Sequence, residues 1–563
     1  MDKQKTSEWI RKRYSSLKED FDTFLPRWRD VQKYIAPQMG RGLSNDARGD
    51  TNNGKRRDQY IVCGTATKAL EVLVNGMFTG MTPRSRPWFH IQTGNMVENG
   101  PLMRWLFSVE TELQDAMQRS NVYGCLKKLY GEVGAFGTGC LMVIPDARTG
   151  ARCVPYSAGE FMLGTDKLGR VDTFYRESWW TVKQVAEEFG EAELPKSFIE
   201  LLNNGKHETR VCVGNLIEPN DHRLPFPNEE AFPVRSVYYC SRNDGGAPGS
   251  GPDTYITIRG LEMFPVVAPR WSTVGTDSYG SSSPGLLALP DTMMLQKIRT
   301  KSLKALDKHV DPALMVNSNA GISEVNNLPG GLNFVTTMGS TPAVQPLYQT
   351  NPSAIMQNEQ MVQNVQRDIQ SYFFNDLFLA ILAMPSSKRA SATEIVQRNE
   401  EKLAQIGPVL ETLDQELYEP LIQLFLYYMA RQGMMPLPPA DLDVRSLAGA
   451  KFGITYVSML AQAQKAVGRL VPIEQTLQFA AQLAAFDPAV MDKIDADQMI
   501  DEYSRAIGCP PSTTRSDAET AEIRKVRAQM QMQQMQLQQA QAFQAQAQGA
   551  KALGEAQQIT GGL

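Results

Sequence analysis

Several residue types that carry chemistry are scarce in this sequence. It has only four histidines and seven cysteines, with no Cys-x-x-Cys and no His or Cys pair at metal-ligand spacing. Because zinc sites need such spacing, the sequence predicts no metal site and no cofactor. The cysteines are scattered and odd in number, which is typical of reduced thiols in a cytoplasm rather than of a disulfide framework.

The motifs of phosphate-binding and hydrolytic enzymes are also missing. No GxxxxGK[ST], GxSxG or HExxH occurs, and the paired acidic residues lie on polar helix faces. The glycine cluster at 134–139 lacks the lysine of a phosphate loop and leads into a strand, so it predicts a tight turn. We therefore predict a protein that is not an enzyme and has no catalytic residues.

Long apolar runs and a strong net charge are absent. The most apolar stretches, Leu377–Met384 and Leu421–Ala430, have at most about half of the roughly 20 residues that span a bilayer. The N-terminus, MDKQKTSEW, is polar and lacks the apolar core of a signal peptide. We expect an intracellular protein without membrane insertion. A formal net charge of −4 argues against a general nucleic-acid coat, so contact with DNA would be local.

The first half of the chain has the pattern of a mixed α+β domain. With 563 residues the chain is long enough for roughly three or four modules. Residues 7–36 alternate apolar positions every three or four residues, which predicts a helix that Pro37 ends. Residues 151–178 and 208–270 alternate β-branched and aromatic residues between turn signals, which predicts strands.

The stretch from Ser283 to Glu401 reads as a helix, a Gly/Pro/Asn-rich segment, a second helix, a basic loop and a long third helix. Periodicity places apolar residues on one side of the first helix and lysines on the other. The apolar side holds Leu295, Ile298, Ser302, Leu306 and Val310. The lysine side holds Lys297, Lys301, Lys304 and Lys308. These lysines can lie along phosphates, but a solvated face or a salt-bridge surface for an adjacent subunit is the interpretation that the residues alone favour.

The basic loop and the start of the third helix carry two further candidates. The loop PSSKRAS places Lys388 and Arg389 among small residues, where an ordinary surface turn is the alternative to a DNA contact. Ser391 and Glu394 fit a capping box at the helix start. Arg398 can pair with Glu394 and Glu401 one turn away on either side, so we assign it a structural role.

The C-terminal tail is rich in glutamine. Ile523, Val526, Met530 and Leu537 stand at heptad-compatible positions, but the seam is weak. The tail can form a helix only where several copies stand side by side, and a disordered tail is the alternative.

Several segments in order together resemble the portal, or head-to-tail connector, proteins of short-tailed bacteriophages. They are RWRDVQKYIAP, MTPRSRPWFHI, GEVGAFGTGCLMV, FPVVAPRWSTVGTDSYGSSSPGLLALPD and SATEIVQRNEEKL. The resemblance covers nearly the whole chain to about residue 510, and the two-helix arm follows YGSSSP as in that family.

The resemblance implies an α+β portal fold with a series of named parts. The expected parts are a wing at 1–282, a first stem helix at 283–309, a clip at 310–351, a second stem helix at 352–376, a tunnel loop at 377–390, a long kinked wing helix with a returning strand at 391–457, a helical crown at 458–510 and, at 511–563, a barrel helix or a disordered tail. Lys388 and Arg389 then lie on a loop that points into a DNA channel.

The resemblance also implies partners and a place. The expected assembly is a ring of twelve copies around double-stranded DNA at one capsid vertex of the virion, built in the host cytoplasm. Expected partners are the terminase large subunit, the tail adaptor, the major capsid and scaffolding proteins, and internal core or ejection proteins.

Three other classes of protein remain as alternatives. A tail-tube or internal-core protein would not require the helix–clip–helix arm. A nuclease or ATPase of the packaging machinery is disfavoured by the missing motifs. A membrane-penetrating ejection protein would rest on the two apolar stretches, and liposome leakage would test it.

Overall fold

The computed structural model divides into two compact units. The first comprises Met1–Gln92, Ser108–Leu437 and Gly453–Val467, and the second Thr93–Phe107, Pro438–Phe452 and Gly468–Leu563. The residues that the structure describes are 3–40, 42–43, 56–93, 100–220, 231–242, 255–316, 324–327, 332, 334, 344–347, 352–382, 406–438, 452–456, 476, 479, 482, 499, 520 and 522–535.

A five-stranded antiparallel sheet, in the order β4-β5-β6-β7-β8, forms much of the first unit. Its strands are β4 (Phe161–Thr165), β5 (Val171–Thr181), β6 (Arg210–Pro219), β7 (Val234–Arg242) and β8 (Tyr255–Leu261). They fall in the two stretches whose alternation predicts strands, since a sheet with both faces covered selects β-branched and aromatic residues.

Helices cover both faces of this sheet. Helix α1 (Lys3–Tyr34) packs Ile10 and Leu17 against one face, on a cluster that includes Tyr175 and Val237. Two short helices, α5 (Val182–Phe189) and α6 (Lys196–Asn203), cover the other face. The predicted helix 7–36 agrees with α1 to within a few residues at each end.

A smaller antiparallel sheet, in the order β3-β2-β9, follows helix α4 (Val122–Phe136). Its strands are β2 (Cys140–Asp146), β3 (Gly150–Tyr156) and β9 (Val266–Val267). Gly137 ends α4 with a φ of 83°, a left-handed conformation that favours glycine. The turn that the glycine cluster predicts is therefore the passage from α4 into β2.

Two further helices and a short strand complete the first half of the chain. Helix α2 (Thr65–Met81) and helix α3 (Gly100–Arg119) stand on either side of strand β1 (Phe89–Thr93) in the chain, and β1 pairs with β12 (Phe452–Tyr456). Prolines at 83 and 87 precede β1, as expected for a segment that helix cannot enter.

Two long helices form an arm in the first unit. They are α7 (Pro284–Val310) and α8 (Pro352–Tyr372), with a short antiparallel pair, β10 (Leu314–Val316) and β11 (Val344–Pro346), between them. We call α7 and α8 together the arm. A short helix, α9 (Asn375–Leu382), follows α8 after a sharp bend.

A helix interrupted by a π-helical turn follows. Residues 406–413 are helical, the turn spans Asp414–Tyr418, and α10 spans Glu419–Arg431. Pro420 cannot donate to the carbonyl of Glu416, and a wider turn before it removes the clash between the proline ring and that carbonyl. The helix is therefore interrupted by this π-helical turn just before Pro420.

In the second unit the structure describes one further helical segment, residues 522–535. Every side chain from Arg524 to Met535 is exposed. Among the helices in the described ranges, none combines the length and the hydropathy that a bilayer span requires.

Candidate nucleic-acid interface

The arm begins at a buried cap. The Ser283 hydroxyl oxygen accepts a hydrogen bond from the Leu286 N–H at 3.1 Å and donates to the Ala135 carbonyl at 3.1 Å, which joins the start of α7 to α4. Pro284 takes the first helical position, where no N–H is needed. Gly285 lies against the backbone of Ala135, so closely that a Cβ would stand 2.3 Å from its carbonyl oxygen. At the base of the arm, the backbone of α7 therefore lies in close contact with the backbone of α4.

The two arm helices pack against each other through contacts that are apolar near the base and polar toward the tip. Leu295 of α7 and Val362, Val365 and Ile369 of α8 are buried. Toward the tip the contacts become polar: Asn358 donates to the Ser302 hydroxyl at 2.6 Å, and Arg299 pairs with Glu359 at 2.5 Å. These contacts fix which side of α7 faces α8.

The four predicted lysines share the side of α7 that lies opposite α8. Positions 295, 299 and 302 contact or face α8, and at about 100° per residue the lysine positions centre on the other side of the helix. All four side chains are exposed: Lys297, Lys301, Lys304 and Lys308. Within the described ranges, Lys297, Lys301 and Lys304 make no ion pair. The lysines span about 16 Å along the helix, at 1.5 Å per residue. Such a stripe can bind phosphates or carboxylates as mobile point charges.

The apolar side predicted for α7 is only partly buried. Leu295 is fully buried, Ile298 and Ser302 are half-buried, but Leu306 and Val310 are exposed. The residues predicted to share one side are thus buried near the base of the arm and exposed toward its tip.

The other predicted residues lie outside the described residues. They are Lys388, Arg389, Ser391, Glu394, Arg398 and Glu401. Their roles in the DNA contact, the helix cap and the ion pairs stay predictions.

A buried polar network near α4 was not anticipated. Glu132 accepts from the Ser157 hydroxyl at 2.5 Å and from the Ala158 N–H at 3.0 Å, and Ser157 in turn accepts from the Gly40 N–H at 2.8 Å. Burial raises the pKa of Glu132 to about 7, and the nearby Glu160 charge acts in the same direction, against the two hydrogen bonds. The partners are far apart in the chain, so no local pattern signals them.

A second unpredicted contact joins the segment after β9 to the interrupted helix. The Arg270 guanidinium pairs with Glu416 in the π-helical turn, and it also donates to the carbonyls of Asp277 at 2.7 Å and Gly169 at 2.9 Å. The Glu416 carboxylate accepts from the Arg270 N–H at 2.9 Å as well. Neither network forms a metal site, and no cluster of metal-ligating residues occurs among the described residues.

Comparisons with known proteins match nearly the whole chain. The model of a family described as bacteriophage head to tail connecting protein matches residues 7–514. A portal protein of Salmonella phage epsilon15 is 34% identical over 93% of this chain and 91% of its own length. A probable portal protein of Bordetella phage BPP-1 is 32% identical over 94% of this chain and 93% of its own.

Solved structures give a weaker similarity. A virion of a native gene transfer agent particle has a chain that is 11% identical, with a TM-score of 0.32, over 79% of this chain and 90% of that chain. A neck of an empty particle of the same kind has a TM-score of 0.34 at the same identity and coverage. At these values the assignment rests on the sequence relatives.

The family match over residues 7–514 and the two portal relatives above 30% identity define the class as a structural component of the phage head-to-tail junction. The chain belongs to the bacteriophage head to tail connecting protein family. It is a portal-type subunit of the capsid vertex. These matches favour that function over the alternative of a tail-tube or internal-core protein.

Proposed function

We propose that twelve copies of this chain form a ring whose channel passes double-stranded DNA into the capsid during packaging and out of it during ejection. The observation that carries this proposal is the match of residues 7–514 to the head to tail connecting family. The arm supports it, since its tip leaves Leu306 and Val310 uncovered in a single chain and neighbouring copies would cover them.

We assign parts of the ring to segments of the chain. The stem is α7 and α8, the clip is residues 310–351, and the tunnel loop is residues 377–390. The body to residue 282, with the interrupted helix and its returning strand to residue 457, is the wing. Residues 458–510 are the crown, and residues 511–563 are a barrel helix where copies meet.

The DNA contact is local and weak in each subunit. Lys388 and Arg389 reach the channel on the tunnel loop, and each contributes a single screened charge. A net charge of −4 for the whole chain suits a conduit that must not hold the DNA sliding through it. The lysine stripe of α7 is the second candidate surface.

The clip receives the terminase large subunit during packaging and the tail adaptor afterwards. The major capsid and scaffolding proteins surround the ring while it assembles in the host cytoplasm, and internal core or ejection proteins sit above it in the virion. The terminase supplies the ATP-driven force, so this chain needs no catalytic activity. DNA-stimulated ATP hydrolysis by the pure protein would contradict that assignment.

Electron microscopy of the purified chain, with its mass measured in solution, tests the ring. We expect particles with a central hole and a mass near twelve times 62.6 kDa. A filament or a closed particle without a channel, formed under conditions where scaffold is also present, would contradict the proposed function.

Replacing both Lys388 and Arg389 by alanine tests the channel loop. We expect intact rings with altered packaging or DNA retention, and a shallower dependence of retention on salt. A variant that loses two exposed charges on α6 and the turn after it, Lys196→Ala with Lys206→Ala, is the matched control. Normal packaging and retention in the loop variant would remove the role assigned to the loop.

A further inference from the structure

The segment that follows α1 lies across α4. Its described residues are 36–40 with 42 and 43, and we call them the strap. Leu43 is fully buried, and its carbonyl accepts from the Arg29 guanidinium at 2.8 Å. The Gln32 amide donates to the Gly40 carbonyl at 2.8 Å. One buried side chain and a few polar contacts thus hold the strap, whereas most positions of α4 are buried.

Glycines let the strap approach α4 and the turn between β3 and β4 closely. A Cβ on Gly131 would stand 2.7 Å from the Met39 methyl carbon, and a Cβ on Gly42 would stand 2.9 Å from the Gly159 carbonyl oxygen. Gly42 has a φ of 88°, a conformation that favours glycine. The strap therefore covers the position before Glu132 on α4 and reaches the turn that holds the hydrogen-bond partners of this carboxyl.

Two carboxyl groups converge on Ser157, in that turn. The Ser157 hydroxyl donates to Glu132 at 2.5 Å, and the Ser157 N–H donates to Glu160 at 3.0 Å. The same hydroxyl accepts from the Gly40 N–H at 2.8 Å. The strap is therefore bonded to the residue that both carboxyl groups share.

The surroundings of Glu132 favour its neutral form. Glu132 is 7% exposed and makes no ion pair among the described residues. Burial is the largest cause that raises its pKa, to about 7, and the Glu160 charge acts in the same direction, against the hydrogen bonds from Ser157 and Ala158. An ionised Glu132 under a closed strap is therefore a buried charge beside a second carboxyl, which is unfavourable.

The other charged groups around this cluster make their contacts elsewhere within the described structure. Arg29 of α1 is bonded to the strap, and Arg176 of β5 stacks on a tyrosine ring of β3 at 4.2 Å. On α4 itself, Lys128 is exposed one turn before Glu132. Helices α2 and α7 meet this part of α4 through neutral residues, Leu73, Val74 and Gly285. Among the described residues, Glu160 is thus the charged group that faces Glu132.

We propose that the strap is a pH-sensitive switch, which stays on the turn while Glu132 holds its proton and lifts from the turn when Glu132 ionises. The proton passes from the carboxyl oxygen to water that enters as the strap lifts. Lifting breaks the bond from Gly40 to Ser157 and admits water to Glu132 without moving α4 or the strands. The strap moves because few contacts hold it. This inference concerns the single chain and is independent of the proposed ring.

The expected size of the effect follows from the values for Glu132. Its pKa is about 7 with the strap closed, and we take the ordinary value of 4.5 for the open strap, where water reaches the carboxyl. The ratio of open to closed strap then rises about tenfold from about pH 6 to about pH 8. The increase levels off at higher pH, because Glu132 is then ionised in both states.

Hydrogen exchange of the full-length chain over this pH range tests the switch. The intrinsic rate of each amide at the same pH is divided by the observed rate, which gives its protection. We expect the protection of a peptide with Gly40 and Leu43 to fall about tenfold from about pH 6 to about pH 8. A peptide with Gly280 is the internal control, because the Gly280 N–H also donates to a hydroxyl at 2.8 Å, that of Thr138. Within the described residues, that hydroxyl is not bonded to a carboxyl.

Two variants separate the carboxyl from general effects of pH. Glu132→Gln has nearly the same shape and stays neutral, so the protection of the strap should no longer change with pH. Glu71→Gln removes an exposed carboxyl of α2 and is the matched control. It should keep the tenfold change.

Three results would overturn the switch. One is a strap whose protection in the unmodified chain is constant over this pH range, and another is a tenfold change that persists in Glu132→Gln. The third is equal protection of the strap and of a β6 peptide at every pH, since the strap would then open only when the whole chain unfolds. The first and third results come from the unmodified chain, so they decide the matter even where the glutamine variant does not fold.

Discussion

The buried carboxyl of Glu132 should make the stability of the chain depend on pH. We expect Glu132→Gln to stabilise the chain at alkaline pH and to flatten the dependence of its stability on pH. The pKa of this group is about 7 in the folded chain against an ordinary value of 4.5. The folded state therefore holds the proton more tightly, so this group's favourable contribution is complete below the ordinary value and is lost as pH rises through 7.

The size of the effect follows from the same two values. A difference of about 2.5 pKa units corresponds to about 3 kcal/mol between acid and alkaline conditions, at 1.36 kcal/mol per unit. Glutamine has nearly the same shape and stays neutral. Its amide oxygen can accept from the Ala158 N–H, and its NH₂ can donate to the Ser157 hydroxyl. The variant thus keeps the hydrogen bonds without the buried charge.

Denaturant unfolding followed by tryptophan fluorescence measures the change. Trp28 is a suitable probe because it is buried and donates to the Phe136 carbonyl at 2.9 Å, one turn beyond Glu132 on α4. Exposed Glu71→Gln on α2 is the matched control and should leave the pH profile unchanged. A Glu132→Gln chain with the wild-type pH profile, or one that is less stable at about pH 8, would refute the reasoning.

Two further predictions concern buried contacts between distant segments. Arg270→Met should lower the free energy of unfolding by about 3 kcal/mol, because it leaves the Glu416 carboxylate without its cation. Glu416→Gln keeps the shape of the side chain and should lower it less. Equal stability of both variants and wild type in chemical denaturation would contradict this. Gly285→Ala should destabilise the chain by about 2 kcal/mol or more, since its Cβ would meet the Ala135 carbonyl and the backbone must move. Gly124→Ala in α4 is the control, because a Cβ there meets nothing within 4 Å. It should stabilise the chain by up to about 1 kcal/mol. A thermal melt that gives both alanine variants the same stability would refute the close-contact explanation.

Local patterns predict the helices of this fold well. The periodicity of residues 7–36 and of the two arm helices is long and regular, and Ser283 with Pro284 is a start signal that tertiary structure preserves. The lysine side of α7 also follows from periodicity alone. These features depend on neighbours within one or two helical turns, which the sequence displays directly.

The sequence alone does not predict contacts between residues that are far apart in the chain. Glu132 meets Ser157 across 25 residues and Arg270 meets Glu416 across 146. A single sequence gives no signal for such pairs, because each residue alone is typical of a solvated surface. The same limit explains the arm: the sequence predicts its apolar positions, but not that residues 62–65 cover part of one side.

Phe374 lies at the bend between α8 and α9. It has a φ of 53° without being glycine, and its ring stacks on Trp271 at a centroid distance of 6.5 Å. A bulky residue in this conformation carries strain of about 1–3 kcal/mol, which surrounding packing must offset. Phe373 and Phe378 on either side are fully buried. Packing on both sides therefore sets the angle between α8 and α9, and it ties the end of α8 to Trp271, more than a hundred residues earlier in the chain.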